Sequence, residues 1–409
     1  MATTKKSPAA AKVTARDRSP YDIVVFGATG FTGELTAEYL AQHGDKGLRW
    51  ALAGRNPAKL EAVRARLAKR FPACKNLALL TADASDPAAL AEVARATRVV
   101  ITTVGPYLKY GEPLVAACAA AGTDYVDLTG EPEFVDQMWL RYHQQARKTG
   151  ARIISCCGFD SIPHDLGAWF TVKQLPENEA LKVEGFVRAG GEFSGGTLHS
   201  AVNAMSRIRQ SLGVAKERRE KDVRPAGRRI GSTGERIRYE RTAFDKSGWA
   251  VPMPTIDPQV VRHSAAANAR YGPDFRYGHY VMVKQLPTVV ALVAGVGAML
   301  VGAQFKPTRE LLLKIKSAGD GPSEETRAKA WFKVRFVGTG GGKQVVTEVS
   351  GGDPGYGETS KMLAESALCL AFDTLPAAGG VLTPAQSMGD ALISRLQHAG
   401  IEFKVISAS

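Results

Sequence analysis

The sequence predicts a two-part α/β chain: an N-terminal doubly wound parallel sheet, then an α+β domain built on a largely antiparallel sheet. Three observations carry this prediction. Apolar strand and helix patterns alternate from residue 22 to residue 155. A glycine-rich turn separates the first strand from the first helix. Beyond about residue 170 the alternation stops and period-two apolar segments take over.

In the first part, residues 22–26 read as a short apolar strand and 32–43 as a helix with Leu35, Tyr39 and Leu40 on one face. Residues 50–53 are a second strand, and Pro57 opens a helix to about residue 70, since proline suits a first helical turn. A third strand at 77–81 is followed by Asp86-Pro87, an N-cap with proline at the first helical position. Strands at 99–103, 125–128 and 152–155 alternate with helices at 112–121 and 132–149. In the second part, 182–189 and 331–337 read as half-buried strands. In the latter Phe332, Val334 and Phe336 alternate with Lys333 and Arg335. The glycine-rich turn 338–343 then leads into 344–349, an antiparallel hairpin. Residues 216–241, rich in arginine, read as a solvated loop or arm, and 359–372 and 385–399 as two C-terminal helices. The expected organisation is a disordered tail (1–20), a nucleotide domain (21–165), a substrate or dimerisation domain (166–352) and C-terminal helices (353–409) of which the first packs back on the nucleotide domain.

Composition narrows the class. The 409 residues suffice for two domains, and 44% hydrophobic with 23% charged residues is ordinary for a soluble globular protein. The net charge of +13 is partly carried by Lys5, Lys6, Lys12, Arg16 and Arg18 in the tail. No basic–aromatic module accompanies it, so no nucleic-acid partner is expected. Five cysteines, an odd number without CxxC spacing, argue against a disulfide framework or a metal site and fit a reducing cytoplasm. Adjacent Cys156 and Cys157 read as two buried thiols at a strand end.

The strongest local signal is Gly27-Ala28-Thr29-Gly30-Phe31-Thr32-Gly33. It follows a strand and opens a helix, the context in which a glycine loop cradles a pyrophosphate. Gly27 allows the turn, Gly30 lets the phosphates approach the backbone, and Gly33 lets helix and strand pack closely. The helix N-terminus offers free N–H groups to the phosphates. At the end of the second strand, where a dinucleotide site often carries an acid for the ribose 2′-hydroxyl, the chain reads Ala53-Gly54-Arg55-Asn56. A guanidinium there matches a 2′-phosphate, so NADP(H) is expected over NAD(H). Ligands of such sheets lie outside the carboxyl ends of the strands. That puts Asp83 at the adenine, Val104, Gly105 and Pro106 at the nicotinamide ribose, and Tyr107, Gly130 and Glu131 near the reactive ring.

With these segments in view, Phe26 to Gly33, Ala53 to Asn56, Val104 to Tyr107 with Tyr110-Gly111, Tyr125 to Glu131 and Cys157 to Pro163 resemble the saccharopine dehydrogenase-like oxidoreductases, and among them the bacterial trans-acting enoyl reductases. The likeness continues through Gly195-Gly196-Thr197, Gly352-Asp353-Pro354-Gly355-Tyr356 and Gly380-Val381-Leu382-Thr383-Pro384, leaving out only the first 20 residues. It implies a Rossmann domain with a second α+β domain, NADP(H), and reduction of acyl chains during lipid assembly.

Such a reductase asks its side chains for placement and a proton. The candidate donors are Tyr107, preferred because its loop directly follows the fourth strand, Asp160 and His164. Each has a structural alternative: Tyr107 stacking, Asp160 capping a helix, His164 lying in a loop. Three readings stand: a reductase of a hydrophobic acyl or enoyl substrate, an amino-acid dehydrogenase whose carboxylates are met by arginines of 216–241, and a non-catalytic NADP-binding protein at membranes. Residues 286–305 carry no charge, with Lys284 before and Lys306, Arg309, Lys314 and Lys316 after. This segment is expected to be a buried or homodimer-interface element, or a peripheral lipid contact beside the substrate entrance, in preference to a membrane span.

Overall fold

The computed structural model describes residues 19–45, 47–191, 195–222, 227–241, 243–244, 246–314 and 321–409. The expected tail lies outside the described residues except for Ser19 and Pro20, and Ser19 is already docked, its carbonyl accepting from Arg49 at 3.0 Å.

The strands and helices alternate as the sequence predicts. The series runs β1 (Tyr21–Phe26), α1 (Phe31–His43), β2 (Trp50–Gly54), α2 (Pro57–Arg70), β3 (Ala78–Thr81), α3 (Pro87–Arg95), β4 (Thr97–Thr102), α4 (Tyr107–Tyr110), α5 (Glu112–Ala121), β5 (Asp124–Asp127), α6 (Pro132–Thr149) and β6 (Arg152–Ile154). Local chemistry sets the helix starts. Asp86 Oδ1 accepts from the amides of Ala88 and Ala89, and Asn56 Oδ1 from that of Lys59. Ile23, Val24 and Val25 are fully buried, both faces of β1 being covered by helices, as a parallel sheet requires.

The rest of the chain begins with α7 (Ile162–Val172), β7 (Leu181–Gly190), α8 (Gly195–Ser206), α9 (Ile208–Lys221), β8 (Arg229–Ser232), β9 (Arg238–Glu240) and β10 (Gly248–Pro252). It continues through α10 (Asp257–Ala267), β11 (Asp274–Val283), α11 (Leu286–Gln304), α12 (Lys306–Lys314), α13 (Glu324–Lys329), β12 (Trp331–Gly340) and β13 (Lys343–Gly351). It ends with α14 (Gly357–Phe372), β14 (Gly380–Leu382), α15 (Pro384–Ser387), α16 (Gly389–His398) and β15 (Glu402–Ala408). The first sheet, all parallel, has the order β14-β6-β5-β4-β1-β2-β3. The second has the order β15-β13-β12-β7-β11-β10-β9, with β8 also on β11. It is mostly antiparallel, the β7–β11 and β8–β11 pairs being parallel. The expected hairpin is β12–β13, with Phe336 opposite Thr347 and Gly338 opposite Val345.

Two expectations are corrected. The described residues of the range 216–241, namely 216–222 and 227–241, are no solvated arm. They finish α9 and supply β8 and β9, because their arginines find buried partners that a sequence pattern does not show: Arg218 Nη1 lies 2.6 Å from Asp136 Oδ1 with its guanidinium over the Trp139 ring, and Arg238 bonds to Glu184. The C-terminal stretch is not helices alone. It returns β14 to the first sheet and β15 to the second, while α14 packs beside α1 and β4.

The two sheets share one hydrophobic core that runs from Ile23 through Leu166 and Phe336 to Phe403. Helix α7 lies within it. A Cβ on Gly167 would stand 2.3 Å from the Phe336 ring, so only glycine lets α7 approach β12 this closely.

The Arg218–Asp136 pair ties α9 to α6 and is buried at both ends. Arg218→Met leaves the Asp136 carboxylate without its cation and is expected to lower the unfolding free energy by about 3–5 kcal/mol in urea denaturation. The double variant Arg218→Met/Asp136→Leu is expected to recover most of that loss.

Candidate active site

The glycine loop sits where β1 and β4 meet, the point at which the strand order reverses. Gly27 has φ +90°, and a Cβ there would stand 2.7 Å from Val104 Cγ2. Thr103 Oγ1 donates to the Gly27 carbonyl at 3.1 Å, fastening the loop to the end of β4. A Cβ on Gly33 would stand 2.2 Å from that same carbonyl, so α1 presses directly on the turn. Gly30 differs: its nearest neighbour is 3.5 Å away, and it is exposed. The open face over Gly30, and the amides of Phe31, Thr32 and Gly33 that precede the first bonded-back amide, Glu34 to Gly30, fit a pyrophosphate. Thr29 is half-buried on this loop. The Phe31 ring turns away to pack edge-on against Tyr356 at 4.8 Å.

At the end of β2, Arg55 is exposed and has no hydrogen-bond partner among the described residues. Its charge and the hydrogen bonds from Ser85 hold the Asp83 carboxyl below its ordinary range, the Ser85 bonds contributing most. Asn56 serves α2 as a cap, so its carboxamide oxygen is not free for ribose.

After β4 and β5 the arrangement departs from expectation. Val104 and Pro106 are half-exposed and Gly105 is exposed, lining the open end of the sheet. The Tyr107 side chain is not there. It is 4% exposed, packs against Phe134, and donates its hydroxyl to the Thr102 carbonyl at 3.1 Å. Burial pushes its hydroxyl well above the ordinary tyrosine range, so the preferred proton donor has no path to substrate. Glu131 is equally committed: its two oxygens accept from the amides of Tyr107 at 3.0 Å and Leu108 at 2.9 Å, capping α4. Both residues shape the loop without facing the ring. Gly130 remains at the opening, where a Cβ would stand 3.6 Å from Asp160 Oδ2.

Asp160, in the loop that follows β6, is partly buried. Burial, and then the charge of Asp257, push its carboxyl up to about 7. The loop that carries it is braced from α14: Thr359 Oγ1 accepts from the Phe159 amide at 3.1 Å and donates to the Pro354 carbonyl. Asp353 in turn accepts from the amides of Gly355 and Gly357, which explains the Gly352-Asp353-Pro354-Gly355 motif as a turn that caps α14 and supports the loop. Behind this loop lies a buried His–Asp–His group. His164 Nδ1 is 3.1 Å from the Phe159 carbonyl and 3.2 Å from Asp257 Oδ1. His279 Nε2 is 3.5 Å from Asp257 Oδ2, which also accepts from Thr255 Oγ1 at 2.6 Å. Burial lowers His164 below the ordinary histidine range and takes His279 down to about 3, while the two imidazoles and the Thr255 and Ser161 hydroxyls hold Asp257 below the ordinary carboxylate range against its burial. Ligand atoms of these three residues lie within 4.8 Å of one another, a donor set of metal-binding type. Part of the group is satisfied internally, His164 Nδ1 by the Phe159 carbonyl and Asp257 Oδ2 by Thr255, whereas His164 Nε2, His279 Nε2 and Asp257 Oδ1 are buried without a hydrogen-bond partner among the described residues. His164 is thus not a loop histidine. It lies on α7, 1% exposed, and meets the carbonyl of Phe159, the residue before Asp160.

Sequence reasoning missed Asp257, His279 and Asp127. Asp127 is fully buried and accepts from Tyr125, Ser155 and the amides of Thr129 and Cys156, which joins the ends of β5 and β6; burial raises its carboxyl to about 6. His279 lies on the inward phase of β11 set by Phe275 and Tyr277, so a polar residue at a core position was the available signal. The five cysteines are free and buried.

Gly30→Val is expected to leave the fold intact but abolish NADPH binding, whereas Gly33→Ala must move the Gly27 carbonyl and lowers the melting temperature. Arg55→Ala is expected to weaken NADPH by roughly 10- to 100-fold and spare NADH, the loss of one charge-assisted pair. Fluorescence titration of both cofactors checks this; equal affinities of the parent for NADPH and NADH overturn the role given to Arg55.

Comparison with known proteins agrees with the geometry. Residues 23–154 match the family model of the saccharopine dehydrogenase NADP binding domain. A chain of Mycobacterium tuberculosis is 38% identical over 411 residues, covering 94% of this chain and 97% of its own. The trans-acting enoyl reductase of Mycobacterium ulcerans is 36% identical over 416 residues (95% and 98%), and that of Mycobacterium leprae 37% over 414 (94% and 97%). Among solved structures, apo saccharopine dehydrogenase (L-Glu forming) of Saccharomyces cerevisiae shares the fold, with a TM-score of 0.56 at 13% identity over 95% of this chain and all of that one. The chain therefore belongs to the trans-acting enoyl reductase family of saccharopine dehydrogenase-like, NADP(H)-binding oxidoreductases.

Proposed function

We propose that this oxidoreductase saturates the carbon–carbon double bond of a hydrophobic enoyl substrate, with Asp160 as the proton donor. When bound, NADPH supplies the hydride. The saturated product also needs a proton, and the observation that carries the reading is a largely buried carboxyl in the loop after β6, on a residue that keeps some exposure, whose ionisation is pushed up to about 7. Asp257 stands behind it, and its charge discourages ionisation of Asp160. Gly130 leaves room in front of the carboxyl.

An amino-acid substrate would require free cations for its carboxylates. Three of the arginines that the sequence offered for this are engaged: Arg218 with Asp136, Arg228 with main-chain carbonyls of 265–272, and Arg238 with Glu184 and Glu240. The names of the mycobacterial relatives point to enoyl reduction as well.

Asp160→Asn is expected to lower kcat/KM for an enoyl thioester by about 10²–10⁴ while leaving NADPH affinity unchanged. In the parent, kcat/KM is expected to fall as pH rises through about 7, because the acid form is the active one. The same raised carboxyl favours folding at low pH, and that contribution is lost between the ordinary carboxylate range and about 7. The variant should therefore melt higher than the parent in alkaline buffer, which separates lost chemistry from lost fold. A full rate in Asp160→Asn excludes this residue as the donor.

A further inference from the structure

We propose that α11, with the basic residues at its ends, docks the protein on an anionic lipid surface, lying along the membrane without crossing it. The helix runs over 19 residues, and only 11% of it is buried. Val289, Val296, Met299 and Ala303, spaced along one stripe, form its sheltered seam, where it packs beside α8 and α12. The remaining circumference is open: Val290 and Val301 are each 62% exposed, Phe305 61%, and Val293 47%. On the neighbouring α12, Leu311 extends the apolar surface, at 66% exposed. Contiguous exposure of this kind marks an interaction surface.

Topology decides against a span. The chain enters α11 from β11 and comes back through α12 and α13 to β12. Both β11 and β12 are hydrogen-bonded to the same strand, β7. A single crossing would put two neighbours of one strand on opposite sides of a bilayer. Neither return helix can cross back, since α12 and α13 have 9 and 6 residues and carry charges throughout.

The shape of the exposed surface selects the occupant. A second copy would cover one side of the helix, whereas the open arc here runs over more than half of it. Fluid hydrocarbon covers every side at once. The charges agree: Lys284 precedes the helix and Lys306, Arg309 and Lys314 follow it, with Glu310 the single acid among residues 284–314. Cations at both ends of an apolar helix meet headgroup phosphates when the helix lies in the interface. The surface also adjoins the catalytic end of the chain. α8 continues into α9, which Arg207 and Arg218 fasten to Glu133 and Asp136 at the start of α6, directly after the Gly130 loop. An acyl chain leaving the lipid would therefore reach the open end of the sheet without a long path through water. The docking itself is independent of which bond is reduced.

Flotation of the full-length protein with phosphatidylcholine vesicles, with and without phosphatidylglycerol, tests the inference. The parent is expected to float with the anionic vesicles at low salt and less with phosphatidylcholine alone. Val290→Asp/Val301→Asp, on the open face about three turns apart, should remain at the bottom while keeping its circular dichroism and NADPH affinity. Lys306→Glu/Arg309→Glu should weaken binding to anionic vesicles by roughly tenfold or more. A folded parent that binds NADPH and reduces a soluble enoyl thioester but never floats overturns the docking and leaves the reductase reading standing. So does flotation that survives both variants. A stable dimer in lipid-free solution, seen by light scattering and converted to monomer by Val290→Asp/Val301→Asp, assigns the face to a second copy instead.

Discussion

Everything at the catalytic end depends on the close approach of α7 to the second sheet. Gly167 allows that helix to rest on Phe336, and Ile162, Leu166 and Val172 complete a core common to both sheets. Because core packing tolerates little displacement, the loop before α7 has a defined place with respect to α10 and β11. Asp160 and His164 come from the nucleotide-binding half of the chain, and Asp257 and His279 from the other half. That packing brings His164 and His279 within 3.2 and 3.5 Å of Asp257, and Asp160 within reach of its charge.

The electrostatics follow from the packing. A buried carboxylate is costly unless partners stabilise it, and Asp257 has two imidazoles and the Thr255 hydroxyl. Burial pushes both imidazoles below the ordinary histidine range, while contact with them and with the Thr255 hydroxyl holds Asp257, behind Asp160, below the ordinary carboxylate range. Two acids close together in a poorly solvated place cannot both ionise easily, and the one nearer the opening keeps its proton. The division of labour between them is set by position, since the residue type is the same.

The outer helices obey a different rule. Around the nucleotide loop, glycines and threonines are fitted so tightly that a single methyl group would collide with the Gly27 carbonyl. Along α11, a Cβ on Gly295 or Gly297 would meet nothing. One part of the chain is finished by its own packing, and the other presents apolar surface that its own fold leaves uncovered.

How much was legible in the sequence depends on the range of the interaction involved. The nucleotide-binding half was readable almost element by element, because its signals are local: Asp86 and Asn56 cap the helices that follow them, and the apolar period changes at each boundary. The glycine loop was readable for the same reason, since its three glycines answer to contacts within a few residues and to the one neighbouring strand. The roles of Tyr107 and Glu131 were not, because two residues correctly placed on a loop can turn inward or outward, and here they turn in to cap and pack that loop. Arg218 and Arg238 looked solvated until folding brought Asp136 and Glu184 to them. Asp257 and His279 are separated from Asp160 by about a hundred residues and share no spacing with it. The sequence alone determined the fold class, the cofactor loop and the cation at its edge, all consequences of short-range geometry. Only the tertiary structure decided which acid holds a proton, because a carboxyl's charge state depends on how much water and which charges surround it, and both are set by chain segments distant in sequence.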